Sequence, residues 1–224
     1  MTDFRFKQFS ITQEANAMKV GTDGVLIGAW VPVDGVSSAL DIGTGTGLIA
    51  LMLAQRGVED VTALEIDTAS AAEASLNIRR SPWSKNVSVI NADFLDFHPT
   101  QRYDLIVSNP PFFEEKLISP DPRRAAARSE SSLPIDRLIA HAAGMLSDHG
   151  KLALILPYSR RDAIIYSAVM HQLYINVEVT VAHSKGKDPR RVMVLMSKKL
   201  TPIIKQSLYI ESNDFIELTK DFYL

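Results

Sequence analysis

The sequence predicts an α/β fold with a mostly parallel central sheet. Short apolar runs alternate with stretches of helical period, a pattern typical of βαβ units. Near the end of the chain, two further apolar runs flank a basic loop, which predicts an antiparallel hairpin at one edge of the sheet. No repeat, low-complexity tract or domain boundary interrupts this pattern. We therefore expect one domain over residues 1–224, with a short extension of about residues 1–37 before the first core strand.

The first half of the chain is expected to supply four strands and two helices. The predicted strands are the apolar runs Ser38–Ile42, Val61–Glu65, Val87–Ile90 and Tyr103–Ser108. Leu48–Arg56 reads as a helix because its apolar residues recur at helical spacing. Thr68–Arg80 reads as a second helix because it is rich in alanine, and Pro82 follows its end.

The second half is expected to complete the sheet. The predicted strands are Lys151–Leu156, Tyr174–Val181 and Arg191–Met196, the last two forming the hairpin. A helix is expected from about residue 132 to residue 146, with Pro134 in its first turn, where the missing N–H has no cost. Pro157 ends the fifth strand, and Arg160–Leu173 is the last helix predicted with a definite range.

The composition is that of an ordinary globular protein, with 46% hydrophobic and 22% charged residues. Because cysteine is absent, disulfides, thiolate metal sites and a cysteine nucleophile are excluded. The five histidines share no short ligand spacing, so no metal site is expected. The first residues lack the apolar core of a signal peptide, and no run of about 20 apolar residues occurs, which predicts a cytoplasmic protein without a membrane span.

The charge pattern leaves two interpretations open. The net charge of −2, from 24 basic and 26 acidic residues, does not by itself indicate a nucleic-acid-binding protein. The basic residues nevertheless cluster in two places. One cluster is Lys185, Lys187, Arg190 and Arg191, and the other is Arg123, Arg124 and Arg128. These clusters are either solvated loops or patches that hold phosphates beside a site.

A glycine-rich loop follows the first predicted strand and leads into a helix. Gly43, Gly45 and Gly47 would let the backbone turn sharply and approach a ligand closely, although a simple tight turn is the alternative. The G-x-G-x-G spacing does not meet the dinucleotide-binding fingerprint. No glycine is followed by Lys-Ser or Lys-Thr, so a P-loop is excluded.

A second distinctive loop follows the strand Tyr103–Ser108. Its residues are Asn109, Pro110, Pro111 and Phe112, and the two prolines prevent both strand and helix from continuing. The expected result is a rigid loop that presents an amide, the carbonyl of Pro110 and an aromatic ring. Such groups are suited to binding a planar amino group and making its nitrogen more nucleophilic. The alternative is that the loop is only a rigid turn that ends the strand.

Asp41 and the three glycines resemble motif I of the class I methyltransferases that use S-adenosylmethionine. The resemblance implies a Rossmann-like class I methyltransferase fold with a mostly parallel sheet, an antiparallel edge hairpin and helices on both faces. It implies S-adenosylmethionine as the cofactor. Glu65, after the second strand, would bind the ribose, and Asp93, after the third, would accept a hydrogen bond from the adenine amino group. Asp67 is the second candidate near Glu65, or else a helix N-cap.

The loop at Asn109 resembles the motif of methyltransferases that act on the amino groups of adenine or cytosine and on glutamine amides. The resemblance implies that the Asn109 side-chain oxygen and the Pro110 carbonyl accept the two amino hydrogens, which stabilises the charge that grows on nitrogen. Phe112 would stack on the target base. Asn109, Pro110 and Phe112 are thus the expected catalytic residues, and Asn109 is expected at the cofactor as well.

Both ends of the chain resemble the bacterial tRNA1(Val) adenine-37 N6-methyltransferases. The resemblance lies in Phe6–Ile11 and Met18–Trp30 near the start and in Asp221–Leu224 at the end. It implies methylation of N6 of the adenosine next to the anticodon of a valine tRNA. It places Thr22 and Asp23 near the methionine end of the cofactor, with Lys19 nearby, although a helix N-cap remains the alternative for Thr22 and Asp23.

The same resemblance makes tRNA the expected partner of a monomer, with a weak dimer as the alternative state. The expected tRNA contacts are Phe112, Arg123, Arg124, Arg128, Lys185, Lys187, Arg190 and Arg191. Two other functions stay open: an N-methyltransferase for a protein glutamine or for another RNA or DNA adenine, and a non-catalytic RNA-binding protein.

Overall fold

An eight-stranded sheet and a separate two-stranded hairpin organise the molecule in this computed structural model, which describes residues 3–14, 19–111 and 133–224. The strands are β1 (Asp3–Arg5), β2 (Ser10–Thr12), β3 (Ser38–Ile42), β4 (Asp60–Glu65), β5 (Val87–Asn91), β6 (Tyr103–Ser108), β7 (Leu146–Pro157), β8 (Tyr174–Ala182), β9 (Arg191–Ser197) and β10 (Ile204–Tyr209). The helices are α1 (Thr22–Trp30), α2 (Leu48–Gln55), α3 (Thr68–Arg79), α4 (Ile135–Met145), α5 (Arg161–Met170) and α6 (Asn213–Thr219).

The large sheet has the strand order β10-β8-β9-β7-β6-β3-β4-β5. Strands β5, β4, β3, β6 and β7 pair in parallel, whereas β9 runs antiparallel to both β7 and β8. The mostly parallel sheet with an antiparallel hairpin is therefore confirmed. The carboxyl ends of the parallel strands meet at one edge of the sheet, which we call the carboxyl edge, and the first residue of β9 lies at the same edge.

Helices cover both faces of the sheet, as expected. In β7, Ala153 and Ile155 belong to the apolar layer that includes α1 and α2, whereas Leu152, Leu154 and Leu156 belong to the layer that includes α4 and α5. This alternation follows from the period of two in a strand. Because both faces are buried, these strands read in the sequence as continuous apolar runs.

Four elements were not predicted from the sequence. The extension of about residues 1–37 contains β1, β2 and α1, and the edge of the sheet beyond β8 is formed by β10, which pairs with β8 in parallel. The hairpin β8–β9 is therefore one strand away from the edge of the sheet, with β10 as the edge strand. Four of the six residues of β10 are exposed, so this strand has no apolar run that periodicity could detect. The predicted helix Arg160–Leu173 ends at Met170, shortly before Gln172 adopts a φ of 58°.

Candidate active site at the carboxyl edge of the sheet

The glycine loop joins β3 to α2 in a conformation that only glycine adopts readily. Gly43, Gly45 and Gly47 have φ values of 69°, 55° and 85°. A Cβ atom at Gly43 would meet nothing within 4 Å, so its backbone angle rather than crowding explains the residue. The N–H groups of Gly43 and Thr44 both donate to the Leu64 carbonyl at 2.9 Å, which ties the loop to β4.

Glu65 links this loop to the end of β4. Its Oε2 accepts a hydrogen bond from the Gly45 N–H at 2.9 Å, and its Oε1 accepts one from the Asp67 N–H at 3.0 Å. Asp67 instead caps α3, because its Oδ2 accepts from the Ser70 N–H at 2.8 Å. Of the two acids considered for the ribose, Asp67 is therefore the cap of α3, and Glu65 is the carboxylate that lies beside the glycine loop.

Asp41 is fully buried beneath the loop. Its Oδ2 accepts hydrogen bonds from the Thr44 hydroxyl at 2.6 Å and the Ala50 N–H at 3.2 Å. Its Oδ1 is buried and has no hydrogen-bond partner within the described part of the chain. Burial raises the pKa of this carboxyl to about 7, the two hydrogen bonds oppose that shift, and the charge of Glu65 adds to it. The site therefore contains one carboxyl oxygen to which no group in the described part of the chain bonds.

Asn109 stands at the corresponding position after β6. The Ser108 hydroxyl donates to the Ile42 carbonyl at 2.8 Å, which fixes the end of β6 against β3. Because Ile42 pairs with Ser108, the glycine loop and Asn109 follow the ends of two neighbouring strands, which are about 4.8 Å apart. The side-chain Oδ1 of Asn109 is buried and, among the described residues, has no hydrogen-bond partner. An unsatisfied buried acceptor is costly, and such groups concentrate at functional sites.

Asp93 completes the row of acids at the carboxyl edge. It follows β5 and is partly buried. One oxygen of its carboxylate, Oδ1, accepts from the Leu95 N–H at 2.8 Å and caps a short 3-10 turn at Phe94–Asp96. The three strands β3, β4 and β5 thus end beside one another, each carrying or preceding one of the acids expected at the cofactor.

Comparison with known proteins agrees with this arrangement. The model of the Methyltransferase small domain family matches residues 25–187. A relative from Bacteroides thetaiotaomicron named tRNA1(Val) (adenine(37)-N6)-methyltransferase is 41% identical, over 99% of this chain and 97% of its own. A relative of the same name from Trichodesmium erythraeum is 44% identical, over 99% of this chain and 97% of its own. The chain belongs to the tRNA1(Val) (adenine(37)-N6)-methyltransferase family.

Solved structures with distant sequences share the fold. A predicted O-methyltransferase from Agrobacterium tumefaciens superposes with a TM-score of 0.71 at 17% identity, covering 89% of this chain and 96% of its own. The glycopeptide N-methyltransferase MtfA, complexed with S-adenosyl-L-methionine, gives a TM-score of 0.56 at 14% identity, covering 73% of this chain and 87% of its own. At these identities the likeness concerns the fold, and it confirms the Rossmann-like class I methyltransferase architecture.

The first turn of α1 lies at the same edge as these family motifs. Gly21 is the N-cap of α1 and no side chain caps the helix, so the N-cap alternative for Thr22 and Asp23 is wrong. Asp23 instead pairs with Arg191, whose Nε donates to Asp23 Oδ2 at 2.7 Å. Lys19 and Thr22 are exposed.

The residues expected to contact tRNA fall into three groups. Lys185, Lys187 and Arg190 are exposed in the loop between β8 and β9. Arg191 is engaged within the chain, since its Nη1 also donates to the Arg190 carbonyl at 3.1 Å. The remaining members, Phe112, Arg123, Arg124 and Arg128, lie outside the described residues.

One residue of the site was missed by sequence reasoning. Asn77 of α3 is only 1% exposed, and its Nδ2 donates to the carbonyls of Thr46 and Thr12 at 2.9 Å each. Its Oδ1 accepts from the Thr12 N–H at 2.9 Å. Asn77 thus ties the glycine loop to β2. Asparagine is unfavourable inside a helix, so its presence in the alanine-rich α3 was a usable signal.

The described residues contain neither a cluster of metal ligands nor a helix that could span a membrane. No group of three or more histidine, aspartate or glutamate side chains is placed to hold a metal ion in residues 3–14, 19–111 and 133–224. Within the same ranges, no helix has both the length and the apolar character required to cross a membrane.

Proposed function

We propose that this protein methylates N6 of adenosine-37 in a valine tRNA, with S-adenosylmethionine as the methyl donor. The single observation that carries the proposal is the Oδ1 of Asn109 after β6, which is buried and has no hydrogen-bond partner among the described residues. The substrate comes from the relatives, whose printed name specifies adenine 37 of tRNA1(Val). The cytoplasmic location expected from the sequence is part of the same proposal, because tRNA is the substrate.

The residues at the carboxyl edge fit the cofactor. Gly43, Gly45 and Gly47 let the backbone approach its methionine and ribose portions, Glu65 would accept from the ribose hydroxyls, and Asp93 would accept from the adenine amino group. Oδ1 of Asp41, which has no partner among the described residues, would supply one further hydrogen-bonding oxygen beneath the loop. The residues Lys19, Thr22 and Asp23 are proposed near the methionine end. When bound, the cofactor supplies a methyl group on a cationic sulfur, which departs as a neutral thioether.

Asn109 and Pro110 are proposed to activate the amino group. The lone pair of an adenine amino nitrogen is delocalised into the ring, so the nitrogen is a weak nucleophile. Two acceptors, the Asn109 Oδ1 and the Pro110 carbonyl, would bind its two hydrogens and favour a pyramidal nitrogen. The same acceptors would stabilise the positive charge that develops during attack. A general base is unnecessary before attack, because the proton leaves after the N–C bond has formed.

The surface that would bind tRNA is inferred from the exposed basic side chains and from the motif at Asn109. Lys185, Lys187 and Arg190 would contact the tRNA backbone, and Phe112 would stack on the target base. Arg123, Arg124 and Arg128 belong to the same proposal. The partner of Arg191 is Asp23, so we propose for Arg191 a supporting role within the chain.

The test is methyl transfer to unmodified tRNA by the Asn109→Ala variant. We expect turnover to fall by at least about 100-fold, the effect typical of removing one such acceptor or donor. The affinity for S-adenosylmethionine should fall far less than turnover, because Asn109 would be one of several residues at the cofactor. Asn86→Ala is the matched control, because this amide lies at the opposite edge of the sheet, where its Nδ2 donates to the Glu59 carbonyl.

Three outcomes would contradict the proposal. Full activity of Asn109→Ala would remove the proposed acceptor from the mechanism. Methyl transfer by the natural protein to glutamine-containing peptides but not to tRNA would favour a protein methyltransferase. Binding of tRNA without any transfer would favour a non-catalytic RNA-binding protein.

A further inference from the structure

An exposed tyrosine lies at the carboxyl edge, at the end of the strand that neighbours β6. Ser108, the last residue of β6, pairs with Leu154 of β7, and β7 continues to Pro157 at the same edge. Tyr158 follows Pro157 directly, so it leaves the sheet at the same edge as Asn109, which follows the neighbouring strand β6. The side chain of Tyr158 is 36% exposed. A half-exposed aromatic ring at the rim of a site is a candidate for contact with a ligand.

The backbone of Tyr158 is held firmly. Its N–H donates to the Arg190 carbonyl at 3.0 Å, and it begins the 3-10 turn Tyr158–Arg160, which leads directly into α5. By contrast, Tyr103 is 1% exposed and bonds to the Thr62 hydroxyl inside the core. The position of Tyr158 thus provides a ring on a fixed support that the core does not use.

Two pairs of consecutive arginines, Arg160–Arg161 and Arg190–Arg191, lie near this ring in the chain fold. In each pair the second arginine forms an ion pair within the protein, and the first forms none among the described residues. Arg161 bonds to Glu178 at 2.9 Å and to Asp162 at 3.0 Å. Arg191 bonds to Asp23 at 2.7 Å. The preceding residues, Arg160 and Arg190, are exposed. Within the described ranges neither of them has a carboxylate within 4.0 Å. One arginine of each pair is therefore neutralised within the protein, and the other has its charge available.

We propose that Tyr158, Arg160 and Arg190 form a platform for the single-stranded RNA that surrounds the target adenosine. The ring would stack on a base next to the adenosine, and the two guanidinium groups would bind phosphates on either side. A ring between free cations is the combination that binds single-stranded nucleic acid. This inference rests on the proposed function and adds a substrate-selecting surface to it.

The first experiment changes the ring alone. Tyr158→Ala should lower kcat/KM for the tRNA by about 5- to 150-fold, the range expected for loss of one stacked base. Tyr158→Phe keeps the ring and should stay within about two-fold of the natural protein. Affinity for S-adenosylmethionine, measured by calorimetry, should be the same in all three proteins, because Tyr158 lies outside the proposed cofactor site.

The second experiment compares the exposed arginine of each pair with its ion-paired neighbour. Arg160→Ala and Arg190→Ala should each reduce the slope of log affinity against log salt concentration by about 0.7, for an isolated anticodon stem-loop RNA. The matched changes Arg161→Ala and Arg191→Ala should leave that slope unchanged. They should lower the free energy of unfolding instead, because they remove ion pairs within the chain.

The outcomes separate this inference from the proposed function. If the natural protein methylates tRNA but Tyr158→Ala has the same kcat/KM, the platform is refuted and the proposed function stands. Equal salt slopes for the Arg160 and Arg161 variants would also refute it. If the natural protein transfers no methyl group to tRNA, the proposed function itself fails.

Discussion

Arg191 donates from Nε to Oδ2 of Asp23 at 2.7 Å, a contact between residues 168 positions apart. It joins the first turn of α1 to the first residue of β9. The extension before the core strands is thereby attached to the hairpin at the carboxyl edge. Because both residues were expected at ligands, the contact also shows how an internal ion pair can occupy groups that look free in the sequence.

The ion pair should contribute modestly to stability. The side chains of Arg191 and Asp23 are 36% and 27% exposed, so water and salt screen their attraction. A double-mutant cycle with Asp23→Ala and Arg191→Ala should give a coupling energy of about 0.5–1 kcal/mol from urea unfolding. The coupling should shrink in about 1 M salt. Strictly additive single changes would show that the pair does not form in solution.

Asp41 should make stability fall as pH rises. The pKa of its carboxyl is about 7 in the folded protein, raised mainly by burial from the model-compound value of 3.8. Between about pH 4 and 7 the folded state therefore holds a proton that the unfolded state has lost. The free energy of unfolding should decrease across this window by up to about 1.4 kcal/mol per pH unit from this group. Above pH 7 the contribution becomes constant.

The variant Asp41→Asn isolates this effect from the other carboxyls. An asparagine can still accept from Thr44 and Ala50 through its oxygen, but it does not titrate. The difference in the free energy of unfolding between the variant and the natural protein should therefore increase in favour of the variant from pH 5 to pH 7. A difference that stays flat over that range would contradict the high pKa.

Asn77 should matter for both stability and cofactor binding. Asn77→Ala leaves the Thr12 N–H and the carbonyls of Thr12 and Thr46 without their partner, at an expected cost of about 2–3 kcal/mol. Because Thr46 belongs to the glycine loop, KM for S-adenosylmethionine should rise while kcat changes little. Asn176→Ala is the control, since its partly exposed amide donates to the Lys199 carbonyl and the Thr201 hydroxyl, and its loss should cost less than about 1 kcal/mol. A normal KM in Asn77→Ala would limit its role to folding.

The parallel core and the site loops were accessible from the sequence for a physical reason. Strands buried on both faces require apolar residues at nearly every position, and the loops that follow them need glycine or proline to adopt their backbone angles. The sequence therefore shows recognisable local patterns at β3, β6, the glycine loop and Asn109. By contrast, β10 is a largely exposed edge strand, and its pairing depends on β8 rather than on its own apolar content.

Long-range polar contacts were not accessible in that way. Nothing local distinguishes Arg190 from Arg191, yet one is exposed and the other pairs with Asp23. The same holds for Arg160 and Arg161. Asn77 contacts Thr12 across 65 positions of the chain, a relation set by how α3 packs on β2. Such partners are decided by tertiary packing, and only the folded molecule shows which polar groups remain free for a ligand.

The two carboxyl oxygens of Glu65 should both be needed for cofactor binding. Its two oxygens accept from the N–H groups of Gly45 and Asp67 at 2.9 and 3.0 Å, and each retains a lone pair for a ribose hydroxyl. In Glu65→Gln one oxygen is replaced by an NH2 group, which would face a backbone donor and could accept nothing from the cofactor. We expect its affinity for S-adenosylmethionine, measured by calorimetry, to fall by at least about ten-fold, the equivalent of one lost charge-assisted hydrogen bond.

The variant Asp67→Asn keeps a capping side chain on α3 and should bind the cofactor normally. If both variants bound equally well, the ribose would have to be recognised elsewhere at the carboxyl edge, and the pairing of Glu65 with Gly45 would serve the loop alone.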